Sequence, residues 1–251
     1  MRLVDAHTHI SLAQQEQATE LAQRGVWQLV TATHPEECAR VFDLAKTSQR
    51  IIPTCGLHPW RAADFNPRVL EDCLQKVPIV GEIGLDTVWT DVPLDVQLKA
   101  FLCQLQLAVT LGKPVVLHTK GAEAEVLHWL SRYLPPKVVV HWYSGEAKYL
   151  PSYIELGCYF TLGPDVHTNQ TVQAVCRQVP LDRLLTETDG TEAVAWALGE
   201  PYTLAVVPQV LLNTLATAAR LRGGTLAEMQ AAVYANSFAF LSDIKGTPVC
   251  N

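Results

Sequence analysis

The 251-residue sequence predicts an α/β fold, a single-domain (β/α)8 TIM barrel, from three observations. Short runs rich in apolar and β-branched residues recur eight times. Helical patterns separate them, and the unit repeats at roughly thirty residues, the spacing of a strand, a helix and two short connections. The runs are 3–6, 26–33, 51–57, 79–83, 114–118, 137–141, 157–162 and 183–187. A doubly wound open sheet would alternate in the same way. Its dinucleotide-binding form, however, needs a glycine-rich fingerprint after the first strand, and none is present.

Taken in order, the runs end in chemistry. The first leads into "VDAHTH"; if extended, side chains alternate and His7 and His9 share a face with Thr8 opposite. Two imidazoles there are half of a metal site or two surface histidines. The third run enters "GLHP" with His58, and the fourth carries "GEIGLD" with Glu82 and Asp86. A helix over 94–112 follows, with Leu94, Leu98, Phe101, Leu102, Leu105, Ala108 and Val109 on one face and a Gly112-Lys113-Pro114 stop. The fifth run ends at His118, the sixth at His141, and the eighth in "LLTETDG" with Glu187 and Asp189. Two helices close the chain, the second opening on the capping box Thr225-Leu226-Ala227-Glu228.

The bulk numbers bound the function. A hydrophobic fraction of 49% and a charged fraction of 18% belong to a globular protein with a sizeable core. No eighteen-residue apolar run predicts a membrane span, and Asp5 comes too early for a signal peptide. Seven cysteines, odd in number and without a CxxC pair, argue against a disulfide framework and for a reducing cytoplasm. A net charge of -6 gives no general attraction to nucleic acid, so a phosphate ligand must be held locally. A metal site would bring the missing positive charge.

Barrel active sites are built where strands end. His7, His9, His118, His141, Glu82 and Asp189 all fall there. Together in a buried place, such groups need compensation. Divalent cations provide it, and four imidazoles with two carboxylates suit two metals sharing a carboxylate. That donor set accepts Zn²⁺, Mn²⁺ and Mg²⁺.

The blocks "VDAHTH", "GLHPW", "GEIGLD", "KPVVLHTK", "VVVHWYSG" and "LLTETDG" resemble, in order and separation, the signature blocks of the TatD family of metal-dependent hydrolases. The likeness runs from Val4 to "ANSFAFL" around Asn236. It implies an amidohydrolase-type barrel and a deoxyribonuclease, often acting from 3′ ends. It further implies that His7 and His9 bind one metal with Asp189 nearby, that Glu82 bridges, that His118 and His141 hold a second, and that His58 faces substrate. Departures stand beside the likeness. Thr119 and Lys120 replace the usual serine and arginine, Trp142-Tyr143 a cysteine with an aromatic, and Gly190-Thr191-Glu192-Ala193-Val194 the usual "APYL" continuation. These variants resemble a short, divergent branch with members in anti-phage defence systems.

The mechanism that follows is a two-metal-activated water attacking a phosphodiester. Asp189 and Glu82 act at the nucleophile, His58 is a third catalytic candidate that donates to the phosphate or leaving oxygen, and His58, Lys120 and Glu187 contact substrate. Glu187 has a second reading, hydrogen bonding to ligand residues. Asp86 is expected to orient ligands from behind, and Trp60, Trp142 and Tyr143 stack bases or pack beneath the rim. His34 reads as a loop before an acid-started helix, with a substrate role as its alternative, His128 as packing or surface, and His167 as a pocket-lining candidate. The expected partner is DNA, single-stranded or at 3′ ends. A small-molecule lactonase, amidase or deaminase and an accessory subunit of a defence or assembly complex remain as alternative readings. Against the small-molecule reading, Glu82 stands where many amidohydrolases carry a bridging carbamylated lysine.

Overall fold

The structure, a computed structural model, describes residues 2–242 and residue 244. Eight parallel strands lie side by side in chain order. They are β1 (Leu3–Thr8), β2 (Val26–Ala32), β3 (Ile51–Cys55), β4 (Ile79–Gly84), β5 (Val115–His118), β6 (Val138–Val140), β7 (Tyr159–Leu162) and β8 (Leu184–Thr186). The crossovers hold α1 (Gln15–Gln23), α2 (Pro35–Ala45), α3 (Pro67–Leu74), α4 (Leu94–Leu111), α5 (Glu123–Leu130), α6 (Leu150–Glu155) and α7 (Gln170–Gln178). Every strand bound lies within two residues of its sequence expectation. At the seam, the Asp189 N–H donates to the His7 carbonyl at 3.0 Å and the Thr186 hydroxyl donates to the Val4 carbonyl at 3.1 Å. The sheet thus comes round on itself as a (β/α)8 barrel.

Two apolar layers hold it. Between strands and helices, Val30, Val80, Leu117 and Phe160 pack with Val41, Phe101 and Leu211. Inside the barrel, Val4, Leu29, Ile52, Ile79, Val116, Val139 and Leu185 meet Phe240 and Leu241. With the interior filled, a site has room at the other end, where the strands finish.

Among the described residues three helices follow β8, not the expected two: α8 (Thr191–Leu198), α9 (Val207–Arg222) and α10 (Leu226–Leu241). α8 is short and starts directly after Gly190, so its apolar pattern is too brief to separate from a loop by periodicity. The capping box of α10 forms: the Glu228 carboxylate accepts from Thr225 N–H at 2.9 Å and the Thr225 hydroxyl from Glu228 N–H at 3.3 Å. Asn236 on α10 donates to the Leu181 and Leu184 carbonyls, pinning the entry to β8. The segment Leu204–Arg222 is long and apolar enough to cross a bilayer by length and composition. In the fold it is a shell helix, with Leu211, Leu215 and Ala218 buried.

The face of α4 differs from its apolar pattern. Leu94 and Val109 are exposed, and Gln97, Ala100, Phe101, Gln104, Leu105 and Ala108 are buried. Two glutamines take the inner face because loop backbone needs partners there. The Gln104 amide accepts from Leu57 N–H at 2.7 Å and donates to its carbonyl at 3.1 Å. The Gln97 amide accepts from Asp86 N–H at 2.8 Å and donates to its carbonyl at 2.7 Å. One helix thereby holds the neighbour of His58 and Asp86 itself.

The cysteines are not all scattered. Cys38 of α2 touches both Cys55 of β3 and Cys73 of α3, and the latter sulfurs lie 2.9 Å apart. A sulfur carries one disulfide at a time, so these three do not form a framework. The argument from scattered thiols to a reducing compartment nevertheless does not carry over. Cys250 lies outside the described residues.

Candidate metal centre

Strict alternation does not deliver the first histidine pair. Val4 and Ala6 face the barrel interior, which would turn His7 outward. Three residues of β1 from Asp5 to Thr8 stand against two of β2, Gln28 to Val30. The extra residue is a bulge, and it re-aims His7 inward beside His9. β4 repeats the device: Val80 to Ile83 stands against Val115 to Leu117 on β5. Here Ile79 faces the interior and both Val80 and Ile83 the helices, so the bulge turns Glu82 inward. Gly81 and Gly84 frame it at φ 148° and 151°. A Cβ on Gly81 would lie 2.8 Å from the Val116 side chain, and one on Gly84 would collide with the His118 carbonyl. "GEIG" thus lets β4 press against β5 with Glu82 at the centre.

The two Glu82 oxygens serve different partners. Oε2 lies 3.4 Å from His7 Nε2 and 3.5 Å from His9 Nε2. Asp189 Oδ1 lies 3.3 and 3.2 Å from the same nitrogens. Oε1 lies 2.7 Å from His118 Nδ1, 2.7 Å from His141 Nε2 and 3.3 Å from His58 Nε2. All six expected metal residues therefore meet in one cage, with His58 at its edge. The first half fits a cation in spacing: tetrahedral bonds of roughly 2.0–2.1 Å place neighbouring donors about 3.3 Å apart. It also fits in chemistry, because His7 Nε2, fully buried, has no hydrogen-bond partner and points at the carboxylates. The second half is drawn into direct hydrogen bonds.

Outer partners set the ring nitrogens. Thr31 Oγ1 lies 3.2 Å from His7 Nδ1, leaving Nε2 for the cage. Asp86 Oδ2 lies 3.0 Å from His118 Nε2, leaving Nδ1. This is the orienting role expected of Asp86. His58 differs: its Nδ1 accepts from Trp60 N–H at 3.2 Å. In the neutral ring Nε2 then carries the proton, and His58 faces the cage as a donor.

The electrostatics are those of a site made for cations. Burial opposes charge on His7 and His141, yet Glu82 and its fellow carboxylates outweigh it and raise both. His118 is raised in the same way by Asp86 and Glu82. Burial would lift Glu82 and Asp189, but the surrounding imidazoles hold both low. Burial lowers His58, keeping it neutral.

A family profile described as "TatD related DNase" matches residues 4–242. The chain belongs to the TatD family. It is 31% identical over 207 residues to the "uncharacterized metal-dependent hydrolase YjjV" of Escherichia coli K12, covering 76% of this chain and 80% of that protein. It is 33% identical over 174 residues to the "3′-5′ ssDNA/RNA exonuclease TatD" of Edwardsiella piscicida, covering 64% and 66%. The crystal structure of the E. coli YjjV TatD homologue superposes with a TM-score of 0.82 at 29% identity, covering 95% of this chain and 97% of that one.

In this TatD-family barrel the remaining expectations fall out unevenly. Lys120 lines the cavity of about 740 Å³ above the cage, together with His9, His58, Glu82, His118, His141 and Asp189. It precedes α5 and donates to Ser144 Oγ at 3.0 Å. Glu187 does not reach substrate space: it is fully buried, with Oε1 3.6 Å from His141 Nδ1. The strand end holds it beneath the histidine, a correction to its expected substrate contact. His167 also stays outside the cavity, with Nδ1 2.7 Å from Thr217 Oγ1. His34 caps α2, its Nδ1 accepting from Glu36 N–H. His128 packs on Trp129 in α5. Tyr143 is buried and donates to the Glu146 carbonyl, so of its two readings packing is the one realised.

Two kinds of residue escaped the sequence reading. Asp5 accepts from Thr188 N–H at 2.8 Å and from its hydroxyl at 2.6 Å, fixing the residue before Asp189. Burial pushes its carboxyl up to about 7. A carboxylate inside a six-residue buried strand was the available signal. Trp89 and Trp196, on the cavity wall, had none, because their elements have no periodic pattern to place them.

Proposed function

We propose that this metal-dependent hydrolase of the TatD family cleaves phosphodiester bonds, acting on single-stranded DNA from 3′ ends. One observation carries the reading: both oxygens of Glu82 are shared, one with His7 and His9 beside Asp189, the other with His118 and His141. That sharing supports a two-cation site, and paired cations are the common solution for in-line displacement at phosphorus. His7, His9, Asp189 and Glu82 would hold one ion and Glu82, His118 and His141 the other. Bound there, Mg²⁺, Mn²⁺ or Zn²⁺ would add Lewis acidity toward water and toward the phosphate charge.

The chain's own groups do the rest. Asp189, about a fifth exposed and lining the cavity, would take the proton of the attacking water. Neutral His58 presents its Nε2 proton to a phosphate or leaving oxygen. Lys120 adds a cation at the mouth, without the two-pronged grip of arginine. One water is consumed, and one phosphate monoester and one hydroxyl are formed. The name of the Edwardsiella relative agrees with this substrate and direction.

The test strips the protein with chelator, restores each ion separately, and offers end-labelled single-stranded DNA, a generic phosphodiester, and a lactone and amide panel. Metal-dependent shortening from the 3′ end is expected. Turnover confined to carbon esters or amides would replace the nuclease reading with the small-molecule one.

A further inference from the structure

Four of the six tryptophans converge on the mouth of the cavity. Their rings form a chain of contacts along that mouth, from His58 at one end to Trp142, next in sequence to His141, at the other. Centroids are 4.9 Å apart from His58 to Trp60 and 6.5 Å from Trp60 to Trp89. They are 5.4 Å apart from Trp89 to Trp196 and 6.1 Å from Trp196 to Trp142. The first and last are pinned. Trp60 Nε1 donates to Asp86 at 2.7 Å, and Trp142 Nε1 donates to Asp165 at 2.7 Å. Gly163 makes the room, since a Cβ there would collide with the Trp142 indole. The middle pair is open: Trp89 is 49% exposed and Trp196 63%. Neighbouring exposed indoles beside a catalytic cage are unexplained by packing and mark a contact surface.

Charge restricts what can lie on them. Beyond the cage the mouth carries Arg40, Arg61 and Lys120 against Glu37, Glu123, Asp165 and Glu192. Arg40 is engaged by the Ile10 carbonyl, and Arg61 donates to Asp64 at 2.9 Å. Lys120 stands by the wall, with Nζ 5.4 Å from the Trp89 ring centre. A groove that tracks a polyanion is lined with cations, and this one has no such excess. A flat, uncharged ring attached to one phosphate needs no such excess, only an aromatic face and a single cation such as Lys120 near it.

We propose that Trp60, Trp89, Trp196 and Trp142 form a stacking subsite for one unpaired nucleobase of the nucleotide at the scissile phosphate. The proposal rests on the phosphodiesterase reading and narrows it: the enzyme grips an end through a base, and little through the backbone. Paired bases inside a duplex have both faces covered and cannot use it. The pinned tryptophans fix the two ends of the row, and the open pair supplies the contact.

The test compares metal-restored wild type with a Trp89→Ala/Trp196→Ala double variant, both checked for an unchanged melting profile. Substrates are single strands ending in an adenine nucleotide or in an abasic one. Wild type is expected to favour the base-bearing end by about ten-fold in kcat/KM, and the double variant to bring that ratio close to one. A second readout needs no metal: deoxyadenosine should quench the tryptophan fluorescence of stripped wild type saturably, and that of the double variant should not saturate. Equal handling of both ends by wild type, or a base preference kept by the variant, overturns the subsite. So does saturable quenching by an aromatic lactone when deoxyadenosine gives none. If no phosphodiester is cut yet deoxyadenosine still quenches saturably, the phosphodiesterase reading falls and the base subsite stands.

Discussion

The cage and the mouth share one cavity but are built differently. Cage donors come from β1, β4 and β5 or from the residues just past β1, β6 and β8. Several are bonded on their far side as well, His7 to Thr31 and His118 to Asp86. The mouth comes from connections and from α8, with Trp60 and Trp142 each held by one hydrogen bond from the ring nitrogen and Trp89 and Trp196 open to solvent. A barrel sets the angular position of each strand by closure, so the cage tolerates little exchange. Loops at the same rim change without disturbing the sheet. The departures from the family blocks follow that division: the six cage residues are present, and Lys120, Trp142 and the segment after Asp189 are where this chain differs.

That contrast can be broken by substitution. Glu82→Ala should have the largest effect, a loss of activity on the order of 10⁴-fold, because the cage works as a unit. Elemental analysis should find almost no bound metal in it; full activity would remove the bridging role. His118→Ala and His9→Ala should each lower metal content by about half, since each removes a ligand from one half of the cage. Equal and total loss in both would show that the halves do not fill separately. Asp86→Asn disturbs the partner of both His118 and Trp60, and should weaken metal binding by about 10–100-fold. Lys120→Met belongs to the mouth. It should raise KM by several-fold with metal content unchanged, and a metal loss there would erase the distinction between mouth and cage.

A pH measurement sharpens the same contrast. His7, His118 and His141 sit above the ordinary imidazole range, so the empty cage carries extra protons near neutrality. Ligation needs their lone pairs, so binding a divalent ion must release protons and affinity must rise with pH. Calorimetry in two buffers of different ionisation enthalpy reads the proton count directly. Zero release would mean the histidines are already neutral.

Legibility followed the same line. The eight strands were visible because each is a short, buried apolar run, and the cage residues because each sits where such a run ends. Gln97 and Gln104 were hidden: an apolar periodicity ranks them as surface residues, while the loop backbone at Leu57 and Asp86 calls them inside. Glu187 was half legible, since its strand-end position was plain but its depth was not. Trp196 was invisible because α8 is too brief to show a period.

By itself the sequence determined the eight strand–helix repeats and the six chemistry-bearing residues at strand ends, because periodicity and residue chemistry are local properties. Only the tertiary structure decided that His7 and Glu82 point inward, since each needs one extra residue against a neighbouring strand, and register exists only between strands. It also decided that four tryptophans from separate connections stand together at one mouth, because closure of the sheet brings those connections to a single rim.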